Sequence, residues 1–442
     1  MTAISRQHTP QGNSTDTPPP PRRVSTKRAV AAATIGNALE FFDLAVYALM
    51  AVYIGRTFFP ADNPGVQLVE AYAVFGVTYL IRPLSGLLIG SYADRHGRKK
   101  ALMLTIWLMV LGTFMIAFMP GYSTLGFVAP VGVVIARLIQ GFGAGGEFGA
   151  ATSFLVEQNE KRKSFLGSFQ FASQGLATLM ASGFATGLTA TLSEEQMTSW
   201  GWRVPFVFGL LVGPAGYLIR RYAEEPPATT RAAAASGNGE EKSSPVRSVF
   251  RDHWGGLLIA SGAMVVSTAL NFLLQYMPTF AIKDLGVDDS LSFTALLITG
   301  VILTLGTPVV GLLADRFGRL KIMIPAAASI GVCAVPLFLW LTTSPSFLTL
   351  ALCMTVLGML KATYFGALPS VMSDVFPTEA RATGLAFSYN TTVAVFGGFA
   401  PTIAAALVTA TGSQISPSYY LMAVAALSIA ALVGGYRIRG IR

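Results

Sequence analysis

The sequence predicts an all-helical integral membrane protein with twelve transmembrane helices arranged as two six-helix bundles. Hydrophobic residues make up 52% of its 442 residues, and charged residues make up only 12%. Apolar stretches of about 20 residues, the length needed to cross a bilayer, recur along the chain, and one loop sequence occurs twice. Soluble proteins are roughly 25% charged, so this composition argues against a soluble enzyme, a disordered chain and a nucleic-acid-binding protein.

Twelve apolar segments are long enough to cross a membrane. We refer to them as spans 1 to 12, at residues 29–54, 70–92, 101–119, 127–152, 165–191, 203–221, 254–280, 291–313, 321–343, 346–370, 384–408 and 418–436. Residues 1–28 are polar and lack an apolar core, which predicts a disordered tail rather than a signal peptide. The polar stretch 222–253 predicts a flexible linker. It separates an N-terminal bundle (29–221) from a C-terminal bundle (254–436) and a short tail (437–442).

Lysine and arginine are concentrated on one side of these spans. The tails and alternate loops hold 25 of the 31 basic residues, whereas the remaining loops hold only Arg56, Arg203 and Lys283. Basic loops stay in the cytoplasm, so both termini are predicted to be cytoplasmic in a bacterial inner membrane. The net charge of +9 then faces the anionic inner leaflet and gives no indication of nucleic acid.

A duplicated loop indicates that the two halves are internal repeats. GSYADRHGRKK at 90–100 recurs as GLLADRFGRLK at 311–321, and each copy joins the second and third span of its half. Such repeats are typical of transporters whose halves move about a central site. A basic loop that only obeys the charge rule is the alternative. The candidate gating residues of the two copies are Asp94, Arg95, Arg98, Asp315, Arg316 and Arg319.

The duplicated loop and the twelve spans resemble the major facilitator superfamily over about residues 25–440. GNALEFFD (36–43), RLIQGFGAGGE (137–147), FPTEARATG (376–384) and FGGFAP (396–401) are similar to its metabolite:proton symporter branch. YIGRTFFPADNP, GYSTLGFVAP and TGSQISPSYYLM look most like citrate and tricarballylate symporters. The resemblance implies alternating access and adds Glu379 and Arg381 to the gating loops. Lys361 is not expected in the citrate permeases, so the match need not extend to the substrate.

Three cations and three carboxylates are predicted inside the membrane: Arg82, Arg137, Lys361, Glu40, Asp43 and Glu147. Each costs at least ~2.5 kcal/mol at mid-bilayer, so each needs a partner or a function. Glu40 and Asp43 share a face of span 1, and two carboxylates so close do not both ionise cheaply. One of them is therefore a candidate proton carrier. The alternative is a buried pair with Arg82. Glu147 is a third proton candidate, or a partner of the loop 94–100.

Spans 4 and 10 carry the residues expected to hold an anion. Arg137, Gln140 and Glu147 form one stripe of span 4, and Arg137 either donates to backbone carbonyls of span 1, as the resemblance implies, or contacts substrate. Lys361 has no acid predicted at its depth, so we expect it to bind an anionic ligand; snorkelling to the interface is the alternative. Tyr364 lies one turn further on. Seven other polar residues are expected either to join helices or to orient the substrate: Asn37, Gln170, Gln174, Asn271, Gln275, Tyr276 and Asn390.

Together these features predict a proton-coupled symporter, not an enzyme, that imports a small organic anion such as citrate or a related tri- or dicarboxylate. No cofactor and no metal site are predicted, since all three histidines lie outside the spans. No phosphate-binding loop supports ATP-driven transport, and sodium could replace the proton. The expected partners are the anion, protons and lipid, with a monomer as the functional unit. The alternatives are a proline or betaine symporter, marked by aromatic cages, and a drug or metabolite exporter.

Overall fold

The computed structural model describes residues 26–96, 98–145, 147–210 and 245–439, and helices make up almost all of this part of the chain. The tail 1–25, most of the expected linker, the second half of span 6 and residues 440–442 lie outside the described residues. The helices are Thr26–Leu49, Ala51–Phe58, Pro64–Leu80, Arg82–His96, Arg98–Phe118, Tyr122–Leu125, Val128–Ala144, Glu147–Glu157, Lys163–Thr191, Glu194–Ser199, Pro245–Asp252, Trp254–Leu285, Asp289–Phe317, Arg319–Thr343, Phe347–Asp374, Thr378–Thr392, Ala400–Thr411 and Ser416–Arg439.

Described helices overlap each of the predicted spans, and span 6 is helical from 204 as far as it is described, to 210. Within the described residues, eight helices are long and apolar enough to cross a membrane, and the number is nine if the bent pair of span 1 counts. Span 1 bends by 63° between Ala33–Leu49 and Ala51–Phe58. Span 3 contributes only the shorter apolar helix Met103–Phe118. Span 5 is a long helix, but its glutamines, serines and glycines dilute its hydropathy.

One helix lies where the sequence predicts flexible linker. Pro245–Asp252 precedes span 7, and the ring of Phe250 packs edge-on against that of Phe387 of span 11, with ring centres 4.7 Å apart. Val249 of the same helix is fully buried. Residues 245–252 of the expected linker 222–253 are therefore helical, and Phe250 of this helix packs on span 11.

Spans 5 and 8 form the most extensive contact between the two halves. Glycines make this possible: a Cβ on Gly175 would lie 2.8 Å from the Leu303 Cβ, and one on Gly300 would lie 2.8 Å from the Leu179 Cα. Real side chains do not approach so closely, so the two backbones meet only because these positions lack one. The halves are thereby joined along the middle of the bundle.

The halves also touch at the end of the bundle that carries the duplicated loop 311–321, which we call the motif face. Asp315 accepts hydrogen bonds from the backbone N–H groups of Ser164 at 2.8 Å and Phe165 at 2.9 Å. These are the first N–H groups of span 5, which have no partner within their own helix. A carboxylate of the C-terminal half thus caps a helix of the N-terminal half.

Aromatic side chains close the other end, which we call the opposite face. The Tyr72 hydroxyl lies 3.0 Å from that of Thr279, across the two halves. Span 11 contains a π-helical segment, Val393–Gly397, and is followed by Gly398. A Cβ on Gly398 would lie 2.5 Å from the Tyr79 ring. Contacts between the halves therefore flank the bundle interior on both sides.

Candidate functional site

Arg137 lies at the centre of the N-terminal half and is completely buried. Its guanidinium carbon lies 4.1 Å from the centre of the Tyr47 ring on span 1 and 5.4 Å from that of Phe75 on span 2. The expected donation to backbone carbonyls of span 1 is not what the structure shows, because the described contact with span 1 is this ring. An aromatic face offers a buried cation electrostatic stabilisation without a counter-charge.

A chain of hydrogen bonds runs from Arg137 to Asp43 through spans 4, 3 and 1. Arg137 Nη1 donates to Gln140 Oε1 at 2.7 Å, and Gln140 Nε2 donates to Thr113 Oγ1 at 2.8 Å. The Thr113 hydroxyl in turn donates to Asp43 Oδ2. We call these four side chains the relay. The cation and the carboxylate are thus linked without a direct ion pair.

The other carboxylate oxygen, Asp43 Oδ1, is buried and has no hydrogen-bond partner in the described structure. It faces Gly209 of span 6, where any Cβ would overlap it. The alternative of an Arg82–Asp43 pair is therefore not what forms, since Thr113 holds Asp43. Glu40, one turn earlier, is also buried.

Arg82 occupies a second buried position in the N-terminal half. Only 1% of its surface is exposed, and its guanidinium carbon lies 4.5 Å from the centre of the Tyr79 ring. Its Nε and Nη2 groups have no hydrogen-bond partner among the described residues, and the same holds for those of Arg137. The two arginines thus have four buried nitrogens that are available to donate hydrogen bonds to a ligand. A buried donor without an acceptor is energetically costly.

Lys361 is the buried cation of the C-terminal half. Its Nζ donates to Asn271 Oδ1 of span 7 at 2.5 Å and lies 4.9 Å from the centre of the Phe365 ring. No salt bridge among the described side chains involves Lys361. Gln275 lies one turn along span 7, and its Oε1 is buried without a partner. The ammonium group therefore meets a neutral amide and a ring, and it can accommodate an anion.

Tyr364 does not share the polar contacts of Lys361. Its hydroxyl donates to the backbone carbonyl of Ala263 on span 7, and its side chain is fully buried. Its described contact is therefore with the backbone of span 7, where it helps to fasten span 10.

Several of the remaining polar residues form hydrogen bonds or ring contacts between helices. This is one of the two expected roles, the other being orientation of the substrate. Asn37 and Gln170 connect spans 1 and 5: Gln170 Nε2 donates to Asn37 Oδ1 at 3.1 Å, and Asn37 Nδ2 donates to the Gln170 carbonyl at 3.2 Å. Asn390 Nδ2 donates to the Gly145 carbonyl across the halves at 2.7 Å. Tyr276 packs edge-on against Tyr72, with ring centres 5.6 Å apart. Gln174 keeps a buried, unpartnered Nε2.

The motif face carries ion pairs that include two of the predicted gating residues, Arg319 and Arg381. Arg319 and Lys163 both pair with Asp374 at the end of span 10. Arg381 pairs with Glu157 at the end of span 4, at 2.7 Å. The Lys163 and Glu157 pairs each cross between the halves.

Arg316 lies 5.4 Å from the centre of the neighbouring Phe317 ring. The side chains of five predicted residues lie outside the described part of the structure: Asp94, Arg95, Arg98, Glu147 and Glu379.

Sequence reasoning missed the partners of these groups. Thr113 carries no charge and sits in a uniformly apolar stretch, so no pattern marks it. Glu157 and Asp374 had a signal, because each is an acidic residue at the motif-face end of the fourth span of its half. No sequence pattern distinguishes Tyr47, Tyr79 and Phe365, whose rings contact the buried cations, from the other aromatic residues of the chain.

Comparison with known proteins agrees with this architecture. The model of the Major Facilitator Superfamily matches residues 33–401 and 305–439. The chain is 35% identical to a citrate-proton symporter of Klebsiella pneumoniae, over 92% of this chain and 91% of that protein. It is 32% identical to a proline/betaine transporter of Escherichia coli strain K12, over 91% of this chain and 82% of that protein.

Among solved structures, the chain is similar to a partially occluded, inward-open xylose transporter, XylE, from E. coli. The TM-score is 0.71, and the match covers 94% of this chain and 98% of that one at 18% identity. At this identity the likeness shows the fold alone.

Proposed function

The chain belongs to the major facilitator superfamily, and from that premise we propose that it is a proton-coupled symporter that imports a small organic anion, citrate or a related tri- or dicarboxylate. The observation that carries the proposal is Lys361, a buried ammonium group whose polar contact is the amide of Asn271. A buried cation without a counter-charge is costly, and an anionic ligand removes that cost. The identity to a citrate-proton symporter supports the same class of substrate.

The unpartnered guanidinium nitrogens of Arg82 and Arg137 extend this argument to the other half. A di- or tricarboxylate has more than one carboxylate, so it can engage Lys361 from the C-terminal half and an arginine from the N-terminal half at once. Planar guanidinium groups suit carboxylates because two parallel hydrogen bonds form. Such a bridging ligand would favour the closed arrangement of the halves over an open one.

The coupled proton is assigned to Asp43 in this proposal, with Glu40 and Glu147 as the other candidates. Asp43 Oδ1 is buried and has no hydrogen-bond partner in the described structure, so a proton there neutralises a charge that is costly to bury. We place the motif face and both termini in the cytoplasm, because that face carries the basic loops.

A second candidate substrate is a zwitterionic osmolyte such as proline or betaine. Aromatic rings of both halves meet at the opposite face: Phe272 of span 7 lies 5.6 Å from Phe75 and 5.2 Å from Tyr79, between ring centres. Aromatic faces bind quaternary ammonium groups, and the proline/betaine transporter is 32% identical. Arg137 and Arg82 already lie over two of these rings, Phe75 and Tyr79, so these two rings contact protein cations rather than a substrate ammonium group. This favours an anionic substrate.

Uptake of labelled citrate into proteoliposomes, with and without an inward proton gradient, tests the proposal, with tricarballylate, 2-oxoglutarate and betaine as competitors. We expect gradient-stimulated citrate uptake that tricarballylate inhibits and betaine does not. Lys361→Ala should abolish it, whereas Lys161→Ala, a matched change at an exposed lysine, should not. Inhibition by betaine alone would favour the osmolyte, and full activity of Lys361→Ala would refute the role of the lysine.

A further inference from the structure

The relay in the N-terminal half contains a residue that the proposed function leaves without a role, the hydroxyl of Thr113. This hydroxyl has a single proton but two acceptors within reach, Asp43 Oδ2 and the backbone carbonyl of Met109 at 3.0 Å. It also accepts a hydrogen bond from Gln140 Nε2 at 2.8 Å. Thr113 therefore lies between a carboxylate that can change its charge and an amide that holds Arg137.

The surroundings of the relay are shaped to hold it. A Cβ on Gly112 would overlap Gln140 Cγ and approach the Ala136 carbonyl oxygen to 2.7 Å. Gln140 therefore reaches Thr113 only because residue 112 has no side chain. Gly209 leaves space in the same way for Asp43 Oδ1. Two helices thus lack a side chain at the positions where the relay passes them.

We propose that Thr113 is the positioning residue that couples protonation of Asp43 to anion binding at Arg137. With Asp43 ionised, the hydroxyl donates to Oδ2 in a charge-assisted hydrogen bond, the stronger of its two choices. Asp43 then polarises the chain of hydrogen bonds that ends at Arg137 Nη1. The charge of the arginine is balanced from within the protein.

Protonation reverses this arrangement. A proton added to Oδ1 forms an O–H bond there and neutralises the carboxylate, after which the Thr113 hydroxyl turns to the Met109 carbonyl. No other covalent bond is made or broken. Arg137 keeps its charge but loses its balancing carboxylate, so an external carboxylate binds it more favourably. By linkage the bound anion in turn favours the protonated form of Asp43, which is the order that symport requires.

The charged groups around Asp43 are few in the described structure. Glu40 lies one turn away on span 1, and Arg137 is on span 4; span 3 contributes Thr113 and span 6 contributes Gly209.

Infrared difference spectra of the purified full chain between acidic and neutral pH test the assignment without any substrate. We expect a protonated-carboxyl band that disappears in Asp43→Asn, shifts in Thr113→Val, and returns to its wild-type position in Thr113→Ser. A spectrum of Asp43→Asn identical to wild type overturns the proposal, as does a band unaffected by Thr113→Val. Thr294→Val is the control, because its hydroxyl also donates to the carbonyl four residues earlier but meets no carboxylate.

Transport measurements separate this inference from the proposed function on which it rests. Citrate and betaine are each tested as probes, and the one that wild-type proteoliposomes accumulate is used. Thr113→Val should retain exchange of that probe at equal pH but lose accumulation driven by a proton gradient, by about 5- to 150-fold, the usual size of coupling between two sites. Thr113→Ser should restore it. If wild type accumulates neither probe, the proposed function fails; if wild type and Thr113→Val accumulate the probe equally, the role of Thr113 fails.

Discussion

The carboxylate of Asp315 accepts a hydrogen bond from the backbone N–H of Ser164 at 2.8 Å, across the boundary between the two halves. Asp315 belongs to the second copy of the duplicated loop, and Ser164 begins span 5. The contact is available only when the halves meet at the motif face, because the N–H groups of span 5 become exposed when the halves separate. It therefore stabilises one state of the transport cycle in preference to the other.

We expect Asp315→Asn to weaken closure of the motif face by about 1 kcal/mol, since the charge that complements the start of span 5 is lost. The measurement is the reactivity of a thiol introduced by Ser370→Cys, in a chain whose Cys333 and Cys353 are changed to serine. Ser370 is buried at this boundary, 2.8 Å from the Ser164 hydroxyl.

The reactivity of the introduced thiol should rise several-fold in the Asp315→Asn chain. Asp288→Asn is the control, because Asp288 caps its own helix, span 8, at the opposite face. Equal reactivity of the introduced thiol with and without Asp315→Asn would show that the cap does not govern closure.

The Arg381–Glu157 pair makes a second prediction at the same face. Glu157→Arg places two cations together and Arg381→Glu places two carboxylates together, so each should reduce the transport rate. The double variant restores opposite charges and should recover much of that rate. Both groups are partly exposed, so the pair itself is worth only about 0.2–1 kcal/mol. A double variant no better than the singles would mean that the charges act through other partners.

Closure of the opposite face should depend on the absence of a side chain at residue 398. Gly398→Ala would bring a methyl group against the Tyr79 ring, 2.5 Å away before any shift, so the halves should no longer close there. Transport should fall several-fold. Gly434→Ala is the matched control, because a Cβ at that glycine meets nothing within 4 Å. Wild-type transport by Gly398→Ala would show that the ring moves aside easily.

Tyr364 and Lys361 should behave differently although they lie one turn apart. Tyr364→Phe removes the hydrogen bond to the Ala263 carbonyl and should cost about 0.5–1.5 kcal/mol of stability. The measurement is a thermal midpoint in detergent, together with the half-saturating concentration of the transported anion. We expect a lower midpoint and an unchanged half-saturating concentration. A marked rise in the half-saturating concentration would instead indicate that Tyr364 contributes to substrate binding.

The internal repeat shows how far sequence reasoning reaches in this protein. Gln140 and Lys361 are equivalent in the duplication, being 221 residues apart, and both are buried on the fourth span of their halves. Their partners differ, however. Gln140 bonds to Thr113 of span 3, whereas Lys361 bonds to Asn271 of the first span of its half. Equivalent positions thus carry different polar contacts, because the residues that face them have diverged.

Arg82 and Arg137 illustrate the other limit. Their burial can be predicted from their position within apolar segments. The identity of the aromatic rings that stabilise them cannot, because residue spacing along one helix does not specify which neighbouring helix each face contacts. Spacing alone allows Asp43 to pair with either arginine, but the packing of spans 1 and 3 places it against the Thr113 hydroxyl instead. Hydrogen bonds near 3 Å depend on helix rotation and tilt to a degree that spacing does not specify.

The sequence by itself determined the helical membrane fold, the positions of the spans and the presence of charged groups in the interior, since hydropathy and charge follow from composition along the chain. The tertiary structure alone decided which groups meet: Lys361 with Asn271, Thr113 with Asp43, Asp315 with the start of span 5. The reason is physical. Burial of apolar surface is non-directional and can be read along the chain, whereas a hydrogen bond requires two particular atoms to be brought together by the packing of different helices.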